Sequence, residues 1–449
     1  MVCPGGAAIG RAQWLQAAAC RVRPEAAMNP VLLKPGSDRR SHVVLMGRPW
    51  GELEAGEWAT GRRALAEAAF AAFHDLSSRY DVVVAEGAGS PAEVNLRDGD
   101  YVNMGLAREM GLPVVVVGDI DRGGVLAAMY GTLGLLAPED QAHVRGWVVN
   151  KFRGSLELLR PGLTMLEERT GRPVLGVLPF LPDVWLDSED ALALAGWRHA
   201  LESAGAGSAP SGAQTLEVAV VSLPRISNAT DVDALAAEPG VRVHLTSNPE
   251  VVAAAHLAVL PGSRATLSDL DWLRSRGIDA ALAARAAGSR PVLGICGGYQ
   301  MLARDLVDDL GVEAPTPRRT TGLRLLPTTV RFHRDKRLGT PTGAWLGHPV
   351  TAYEIHHGIA CWDDPQGARP FLDGLEDGVV FGTTWHGAFE NDGFRRAFLA
   401  RIAATAGSSW TPARGAPGFA ARREAMLDRL ADAVEQHLDT AALLALVGG

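Results

Sequence analysis

The chain has 449 residues, of which 47% are hydrophobic and 21% are charged, and its formal net charge is -8 at pH 7. This length predicts two or three globular domains, and the acidic balance argues against a general nucleic-acid binder. No apolar run approaches the roughly 20 residues of a membrane span. Four cysteines without a Cys-x-x-Cys pair, and no signal peptide, predict reduced thiols in a cytoplasmic protein.

The first half of the chain alternates helical and apolar stretches. After a helical stretch at 61–78, three apolar runs at 80–89, 113–124 and 146–153 end in polar side chains or glycines. This alternation predicts parallel strands in a doubly wound α/β sheet. The polar strand ends are Glu86, Asp119, Asp121 and Asn150. Such groups bind phosphates and Mg²⁺ at the carboxyl edge of a sheet, and Glu86 is the candidate Mg²⁺ ligand. Each acid alone could instead be a helix cap.

Composition predicts the domain boundaries. Small and polar residues at 204–213 predict a flexible linker, and the apolar run at 216–221 opens a second sheet. We therefore expect a first domain at 1–203, a linker at 204–215, a second domain at 216–407 and a C-terminal helical extension at 408–449. A helical stretch at 187–203 belongs to the first domain, and 420–447 reads as one or two amphipathic helices.

The segment at 291–300 predicts a nucleophile. A short apolar strand runs into Cys296, which glycines flank on both sides, and then into a helix. Glycines permit the sharp turn that exposes the sulfur, and a helix N-terminus favours the thiolate. This is the geometry of a nucleophile elbow. The alternative is a buried cysteine at the end of a core strand.

A thiolate nucleophile needs a base, and two histidine segments follow it. His386 lies where a strand ends and the chain turns at Gly387, while His356 and His357 form a pair further upstream. Spacing alone does not choose between them, because such partners are adjacent in space and not in sequence. We favour His386.

The elbow resembles that of class I glutamine amidotransferases. The resemblance implies that Cys296 attacks the side-chain amide of glutamine and that His386 shuttles the proton. It also implies an oxyanion hole and glutamine-binding groups, which would be Gly262, Ser263, Gly297 and Gln300. The usual family triad ends in His-x-Glu, whereas Gly387 and Ala388 follow the histidine here. Glu390 is then a weak candidate for the third member.

Further motifs resemble the cobyric acid synthase family over about 10–398. They are Ile-Gly-Arg-Ala-Gln at 9–13, Met-Asn-Pro-Val-Leu-Leu-Lys-Pro at 28–35, Glu-Gly-Ala-Gly-Ser-Pro-Ala-Glu at 86–93, Asp-Ile-Asp-Arg-Gly-Gly at 119–124, Leu-Pro-Gly-Ser at 260–263, Gly-Ile-Cys-Gly-Gly-Tyr-Gln at 294–300, Tyr-Glu-Ile-His-His-Gly at 353–358 and His-Gly at 386–387.

This resemblance implies an ATP-dependent amidoligase. ATP and Mg²⁺ would activate the b, d, e and g carboxylates of adenosylcobyrinic acid a,c-diamide, and ammonia from glutamine would convert them to amides. The implied fold pairs a P-loop-NTPase-like, dethiobiotin-synthetase-like domain with a class I glutamine amidotransferase domain. Charge for the corrinoid carboxylates would come from Arg11, Lys34, Arg97 and Arg122. A homo-oligomer is an open alternative.

The chain departs from that family at two places. Family members open with a strand and a phosphate-binding loop, and no such loop can be drawn here, since none of the lysines (Lys34, Lys151 and Lys336) follows a glycine-rich loop. We expect either a start assigned too far downstream or a shortened paralogue. The second departure is Ala229, where the family commonly has an aromatic after Asn228.

Three rival functions remain. The first is a glutaminase-only or non-catalytic corrinoid-binding paralogue. The second is a partition-type ATPase or regulatory module, which Cys296 and His386 argue against. The third is a cobyrinic acid a,c-diamide synthase, which pairs the same two domain types.

Overall fold

The computed structural model describes residues 1–37, 40–54, 58–182, 184, 215–362 and 367–447. It divides into two compact units. The first comprises Met1–Ala18 and Trp185–Glu424, and the second comprises Ala19–Val184 and Ala425–Gly449. The predicted helical stretch at 187–203 and the predicted linker up to residue 214 lie outside the described residues.

The helices are α1 Arg11–Ala19, α2 Trp58–Arg79, α3 Met104–Met110, α4 Val125–Leu135, α5 Pro138–Gln141, α6 Leu156–Thr170, α7 Asp233–Ala236, α8 Pro249–Ala254, α9 Thr266–Ser275, α10 Ile278–Ala287, α11 Gly297–Leu302, α12 Asp392–Thr405, α13 Phe419–His437 and α14 Thr440–Ala445. Short 3₁₀ turns are Ala26–Met28, Val94–Leu96, Ile120–Arg122, Ala229–Asp231 and Ala388–Glu390. Among the described residues, none of the helices is long and apolar enough to cross a membrane.

The strands are β1 Val31–Ser37, β2 Arg40–Leu45, β3 Arg48–Glu54, β4 Val114–Asp119, β5 Val144–Phe152, β6 Val174–Pro179, β7 Leu216–Val221, β8 Ile226–Ser227, β9 Val241–Thr246, β10 Leu257–Leu260, β11 Gly262–Ser263, β12 Val292–Ile295, β13 Asp305–Asp308, β14 Arg318–Thr321, β15 Thr328–Gly339, β16 Thr342–Trp345, β17 His348–Thr351, β18 Glu354–Trp362, β19 Arg369–Phe371, β20 Gly374–Asp377 and β21 Val380–Thr383.

The first unit is built on a seven-stranded sheet with the order β19-β20-β21-β12-β10-β7-β9. The strands from β21 to β9 are parallel, and β20 and β19 are antiparallel additions. Successive residues of β10 alternate between two apolar clusters: Leu257 and Val259 belong to one, and Ala258 and Leu260 to the other. Since successive side chains of a strand point to opposite faces, the sheet is buried on both faces.

The second unit contains a three-stranded parallel sheet, β4-β5-β6, and an antiparallel sheet, β1-β2-β3. The core of the parallel sheet includes Trp147 and Val149 of β5, Met129 of α4 and Leu166 of α6. The α/β alternation predicted for this half is confirmed, and the predicted helix at 61–78 is α2. The predicted helices at 420–447 are α13 and α14.

One predicted strand is wrong. Residues 80–89 were expected to form a buried parallel strand, but they form no strand, and the Val84 side chain is 89% exposed. An apolar run becomes a strand only when a neighbour supplies hydrogen bonds. In the described part of the chain, β4 is an edge strand that is hydrogen-bonded to β5 alone. Residues 80–89 therefore do not pair with the free edge of β4.

The chain ends are distributed differently from the predicted domains. The segment Met1–Ala18 clusters with the first unit, although the sequence places it in the N-terminal domain, and the last residues cluster with the second unit. Within the first unit, Arg11 is 2% exposed and its Nη2 donates to Glu390 Oε1 at 3.1 Å. The predicted boundaries at 203, 215 and 407 stay predictions.

Gly298 is expected to tolerate no side chain. A Cβ there would lie 2.0 Å from the Leu260 carbonyl oxygen, so the backbone of α11 or β10 would have to shift. We expect Gly298→Ala to cost about 3 kcal/mol or more in the free energy of unfolding, which lowers Tm by roughly 6 °C or more. Calorimetry measures this. Gly131→Ala in α4, where a Cβ meets nothing within 4 Å, is the control and should not lower Tm.

Candidate active site

Cys296 stands at the sharp turn between β12 and α11. Its backbone is left-handed, with φ 49° and ψ -108°, and its N–H donates to the Thr383 carbonyl oxygen at 2.8 Å. A non-glycine residue adopts a positive φ only when the surroundings hold it there. The Gln300 N–H closes the first turn of α11 on the Cys296 carbonyl at 3.0 Å. The strand, turn and helix of the predicted elbow are therefore present.

The loop before α9 packs against this turn. A Cβ on Gly297 would lie 2.8 Å from the Ser263 nitrogen, and a Cβ on Gly262 would lie 3.1 Å from His386 Cε1. The Ser263 hydroxyl donates to Asp269 Oδ2 at 2.6 Å, and β11 pairs with β8, which fixes the loop. The structure thus gathers the predicted oxyanion residues Gly262, Ser263 and Gly297 beside the cysteine.

His386 follows β21 and is fully buried. Its main chain exchanges two hydrogen bonds with Tyr353, at 2.8 and 3.0 Å, and its ring stacks on the Tyr353 ring with centroids 5.3 Å apart. Nδ1 lies 2.6 Å from Asp231 Oδ2. Nε2 lies 3.2 Å from the Asn228 side-chain amide, whose oxygen accepts from the Tyr353 hydroxyl at 3.0 Å. The imidazole is held on both ring nitrogens and on one face.

The charge state of His386 follows from these neighbours. Burial lowers the pKa of His386, but the Asp231 carboxylate and the Cys296 sulfur outweigh burial and raise the pKa to about 10. The Asp231 carboxylate and the Cys296 sulfur thus favour the protonated form of the ring. His386 is the group placed to exchange a proton with the Cys296 sulfur, as the base beside a nucleophile must.

The rival histidines are engaged elsewhere. His356 Nδ1 lies 2.8 Å from the Gly358 carbonyl oxygen and Nε2 lies 3.4 Å from Glu354, and burial lowers the pKa of His356. His357 Nδ1 lies 3.0 Å from the His333 carbonyl oxygen. Since His386 is the histidine that interacts with Cys296, the structure favours it as the base.

Gln300 lies inside α11 with its side chain 3% exposed. Its Oε1 accepts from the Thr266 hydroxyl at 3.1 Å and its Nε2 donates to the Gly358 carbonyl at 3.3 Å. The amide therefore ties α11 to the N-terminus of α9 and to β18. Direct contact between Gln300 and a bound glutamine stays a prediction.

Glu390 does not reach His386 and is not its acid partner. Its carboxylate accepts from Arg11 at 3.1 Å and from Arg423 at 3.0 Å. Burial acts to raise the pKa of Glu390, but the two guanidinium groups outweigh it and lower the pKa. The carboxylate that contacts the His386 ring, at Nδ1, is that of Asp231 and not that of Glu390. The carboxylate of Glu390 anchors the turn after His386 to α1 and α13.

Sequence reasoning missed Asp231, Asn228 and Tyr353. The segment 226–231 drew notice only because Ala229 replaces an aromatic. A usable signal was present, because Asn228 and Asp231 follow the first strand of the second sheet, and polar groups after parallel strands converge at one sheet edge.

A second polar cluster lies in the other unit, at the carboxyl ends of β4 and β5. Asp119 is opposite Asn150 in the ladder, and the Lys151 ammonium donates to Asp119 Oδ2 at 2.8 Å. This hydrogen bond lowers the pKa of Asp119. Arg153 Nε lies 3.3 Å from Asp121. Three of the four predicted strand-end residues are thus gathered, with cations among them, while Glu86 lies in the segment that forms no strand.

The two acids of this cluster are each paired with a cation, Asp119 with Lys151 and Asp121 with Arg153. Among the described residues, no group of three or more His, Cys, Asp or Glu side chains is placed to hold a metal ion. The cations fit phosphate groups better, since Arg122 is largely exposed next to Lys151. The predicted Mg²⁺ role of Glu86 stays a prediction.

The arginines predicted to attract corrinoid carboxylates differ in availability. Arg11 is buried against Glu390, and Arg97 binds Asp140 in a bidentate pair at 2.7 and 2.8 Å. Arg122 alone of these three has a largely exposed side chain, at 87%. The side chain of Lys34 lies outside the described part.

Comparison with known proteins gives consistent matches. The model for the CobB/CobQ-like glutamine amidotransferase domain matches 217–394, and an AAA domain model matches 57–186. The cobyric acid synthase of Mycolicibacterium gilvum is 59% identical over 450 residues, covering 99% of this chain and 87% of its own length. That of Cutibacterium acnes is 56% identical over 447 residues, covering 100% and 90%.

A crystal structure of a glutamine amidotransferase covers 42% of this chain and 98% of its own, at 16% identity and a TM-score of 0.34. A likeness at that score carries no argument about this chain. The matched domain and the cysteine elbow define a protein of the glutamine amidotransferase class, joined to an AAA-like domain, which confirms the predicted fold class. With 56–59% identity over nearly its whole length, the chain belongs to the cobyric acid synthase family.

Glu313 gives a prediction about pH and stability. Burial raises the pKa of Glu313 to about 7, although its carboxylate accepts the Thr266 N–H at 2.7 Å. The unfolded carboxyl ionises near 4.5. Between these values the folded chain keeps a proton that the unfolded chain has lost, so the free energy of unfolding falls as pH rises. Glu313→Gln should remove this fall and gain up to about 3 kcal/mol at pH 8 relative to pH 4.5.

Urea unfolding at both pH values measures this gain. Glu250→Gln, at an exposed position of α8 in the same unit, is the control and should show no pH-dependent gain. Equal behaviour of the two variants would contradict the protonated state of the half-buried Glu313.

Proposed function

We propose that the chain hydrolyses glutamine at Cys296 and uses the ammonia to amidate the b, d, e and g carboxylates of adenosylcobyrinic acid a,c-diamide. The reaction consumes ATP and gives adenosylcobyric acid in cobalamin biosynthesis. The observation that supports this best is the Cys296 elbow facing a buried His386. It stands in a chain that is 56–59% identical to cobyric acid synthases over nearly its whole length.

The glutaminase step follows from the geometry. The Cys296 thiolate attacks the side-chain amide carbon of glutamine, and negative charge develops on the amide oxygen. The backbone N–H groups of Gly297 and Ser263 are the proposed donors to this oxyanion, and the close approach of these two residues supports that role. The imidazolium of His386 gives its Nε2 proton to the departing nitrogen, so that ammonia leaves and a glutamyl thioester remains.

The second half of the reaction uses the same residues. After ammonia leaves, His386 is neutral and accepts a proton from water at Nε2. The hydroxide so formed attacks the thioester, which releases glutamate and restores the thiolate and imidazolium. Burial of Cys296 and His386 limits access of other nucleophiles.

The ligase step is placed in the other unit. ATP is a substrate here, and it supplies the phosphoryl group that turns a carboxylate into an acyl phosphate. Lys151 and Arg122 at the ends of β4 and β5 are the groups that would contact its phosphates. Mg²⁺ would neutralise charge on the ATP phosphates when bound, with Asp119 and Asp121 as the nearby carboxylates.

Nothing in the comparisons favours the rival functions. The relatives from Mycolicibacterium gilvum and Cutibacterium acnes carry the name cobyric acid synthase, and the amidotransferase and AAA models both match. The glutaminase-only alternative is separated from the proposal by assaying both halves of the reaction.

Cys296→Ala should lose glutamine-supported amidation by roughly 10³-fold or more, because the attacking group is gone. Amidation supported by ammonium chloride should remain, because it bypasses the thioester. Mass spectrometry of the corrinoid, with ATP and Mg²⁺ present, counts the amides formed. Cys361→Ser, at an exposed cysteine of the same unit, is the matched control and should behave as wild type.

Two outcomes would contradict the proposal. Glutamine-supported amidation that survives in Cys296→Ala would exclude the cysteine as nucleophile. Glutamine hydrolysis in the wild type without amidation from either nitrogen source would instead identify a glutaminase-only protein.

A further inference from the structure

The usual acid position two residues after the catalytic histidine is Ala388 in this chain, so the acid must come from elsewhere. Two carboxylates lie near the histidine segment. Glu390 is bound by Arg11 and Arg423, whereas Asp231 contacts the imidazole itself. This difference makes the two residues separable by experiment.

We infer that Asp231 is the positioning carboxylate of the glutaminase, fixing the tautomer and the charge of His386 from a turn 155 residues upstream of it. This inference rests on the proposed glutaminase function. Asp231 does not touch glutamine and acts through the histidine.

The hydrogen-bond geometry supports this role. Asp231 Oδ2 accepts from His386 Nδ1 at 2.6 Å, and Oδ1 accepts from the Gly387 N–H at 2.8 Å. One carboxylate therefore fixes both the ring and the backbone that follows it. With Nδ1 donating to Asp231, Nε2 is the nitrogen that can take up and give a proton in the reaction, and it lies 3.2 Å from the Asn228 amide nitrogen.

Burial makes this contact strong. The side chains of His386 and Asp231 are 0% and 2% exposed. A hydrogen bond between charged partners is strengthened where water is excluded. The titratable groups that face the ring are Asp231 at Nδ1, Cys296 at the elbow and Tyr353 stacked on the ring face. When Cys296 carries the glutamyl group and has no charge, Asp231 is the acidic group that balances the positive charge of the His386 ring.

The turn that carries Asp231 is itself fixed. The Asp231 N–H donates to the Asn228 carbonyl at 3.0 Å, and Asn228 has a positive φ of 51°. Ser227, just before it, pairs with Gly262 of the oxyanion loop. The acid, the loop and the histidine are therefore parts of one hydrogen-bonded assembly.

The test compares Asp231→Asn with Glu390→Gln in the full 449-residue chain. Asparagine keeps the size of the side chain but removes its charge and can present an N–H to Nδ1. We expect kcat for glutamine hydrolysis to fall roughly 10²- to 10⁴-fold, with KM within about threefold. Glu390→Gln should keep kcat within about fivefold, since it leaves the contact with His386 intact. Tm of each variant shows whether it is folded.

A second readout does not need glutamine. Alkylation of Cys296 by iodoacetamide, followed by peptide mass spectrometry from pH 6 to 9, reports the thiolate. Loss of the Asp231 charge lowers the pKa of His386, so the ring loses its own charge at neutral pH. The Cys296 rate at pH 7 should then fall about tenfold or more. The exposed Cys20 is the internal reference and should react unchanged.

Conservative variants keep the test decisive. Asp231→Glu retains the charge, so its kcat should be higher than that of Asp231→Asn. It replaces Asp231→Asn in the test if the asparagine variant does not fold. The inference is overturned if Asp231→Asn keeps kcat within about threefold, or if Glu390→Gln loses as much. A wild type that hydrolyses no glutamine would overturn the proposed function and this inference together, whereas an active wild type beside an equally active Asp231→Asn variant would overturn the inference alone.

Discussion

The left-handed backbone of Cys296 is the constraint on which the site depends. Such a conformation costs a non-glycine residue about 1–3 kcal/mol, and here three contacts hold it. The Cys296 N–H is bound to Thr383, its carbonyl is bound by Gln300, and the glycine frame leaves the sheet no room to relax. The same ladder pairs Ile295 with Thr383. Because β21 is in register with β12, the histidine three residues after Thr383 arrives beside the cysteine one residue after Ile295.

Buried charges then fix the histidine segment at both of its ends. Asp231 binds the His386 ring and the Gly387 N–H, while Arg11 and Arg423 bind Glu390. Buried ion pairs gain little net stability, because desolvation of the charges opposes their attraction. Their value here is position: Asp231 orients the imidazole itself, and Glu390 ties the chain after it to α1 and α13.

The sequence predicted those features whose signals are local. Glycines around Cys296, the apolar run of β12 and the strand before His386 lie within a few residues of what they specify, and each was placed correctly. The partners of His386 and Glu390 could not be read in this way, because they lie 155 and 379 residues away. The segment at 80–89 shows the opposite failure. Its composition suits a strand, but strand formation depends on a neighbour, and composition does not show whether one is present.

The position of Asp231 follows from how parallel sheets are built. Strands β7, β10, β12 and β21 are successive parallel neighbours, so the segments that follow them emerge at one edge of the sheet. An acid placed after β7 can therefore reach a histidine placed after β21. The two residues are 155 positions apart, and the cysteine lies between them in the sequence. Catalytic groups of this kind are defined by geometry and not by order along the chain. The lack of a His-x-Glu motif consequently removes one source of the carboxylate and leaves the arrangement of thiolate, imidazolium and acid intact.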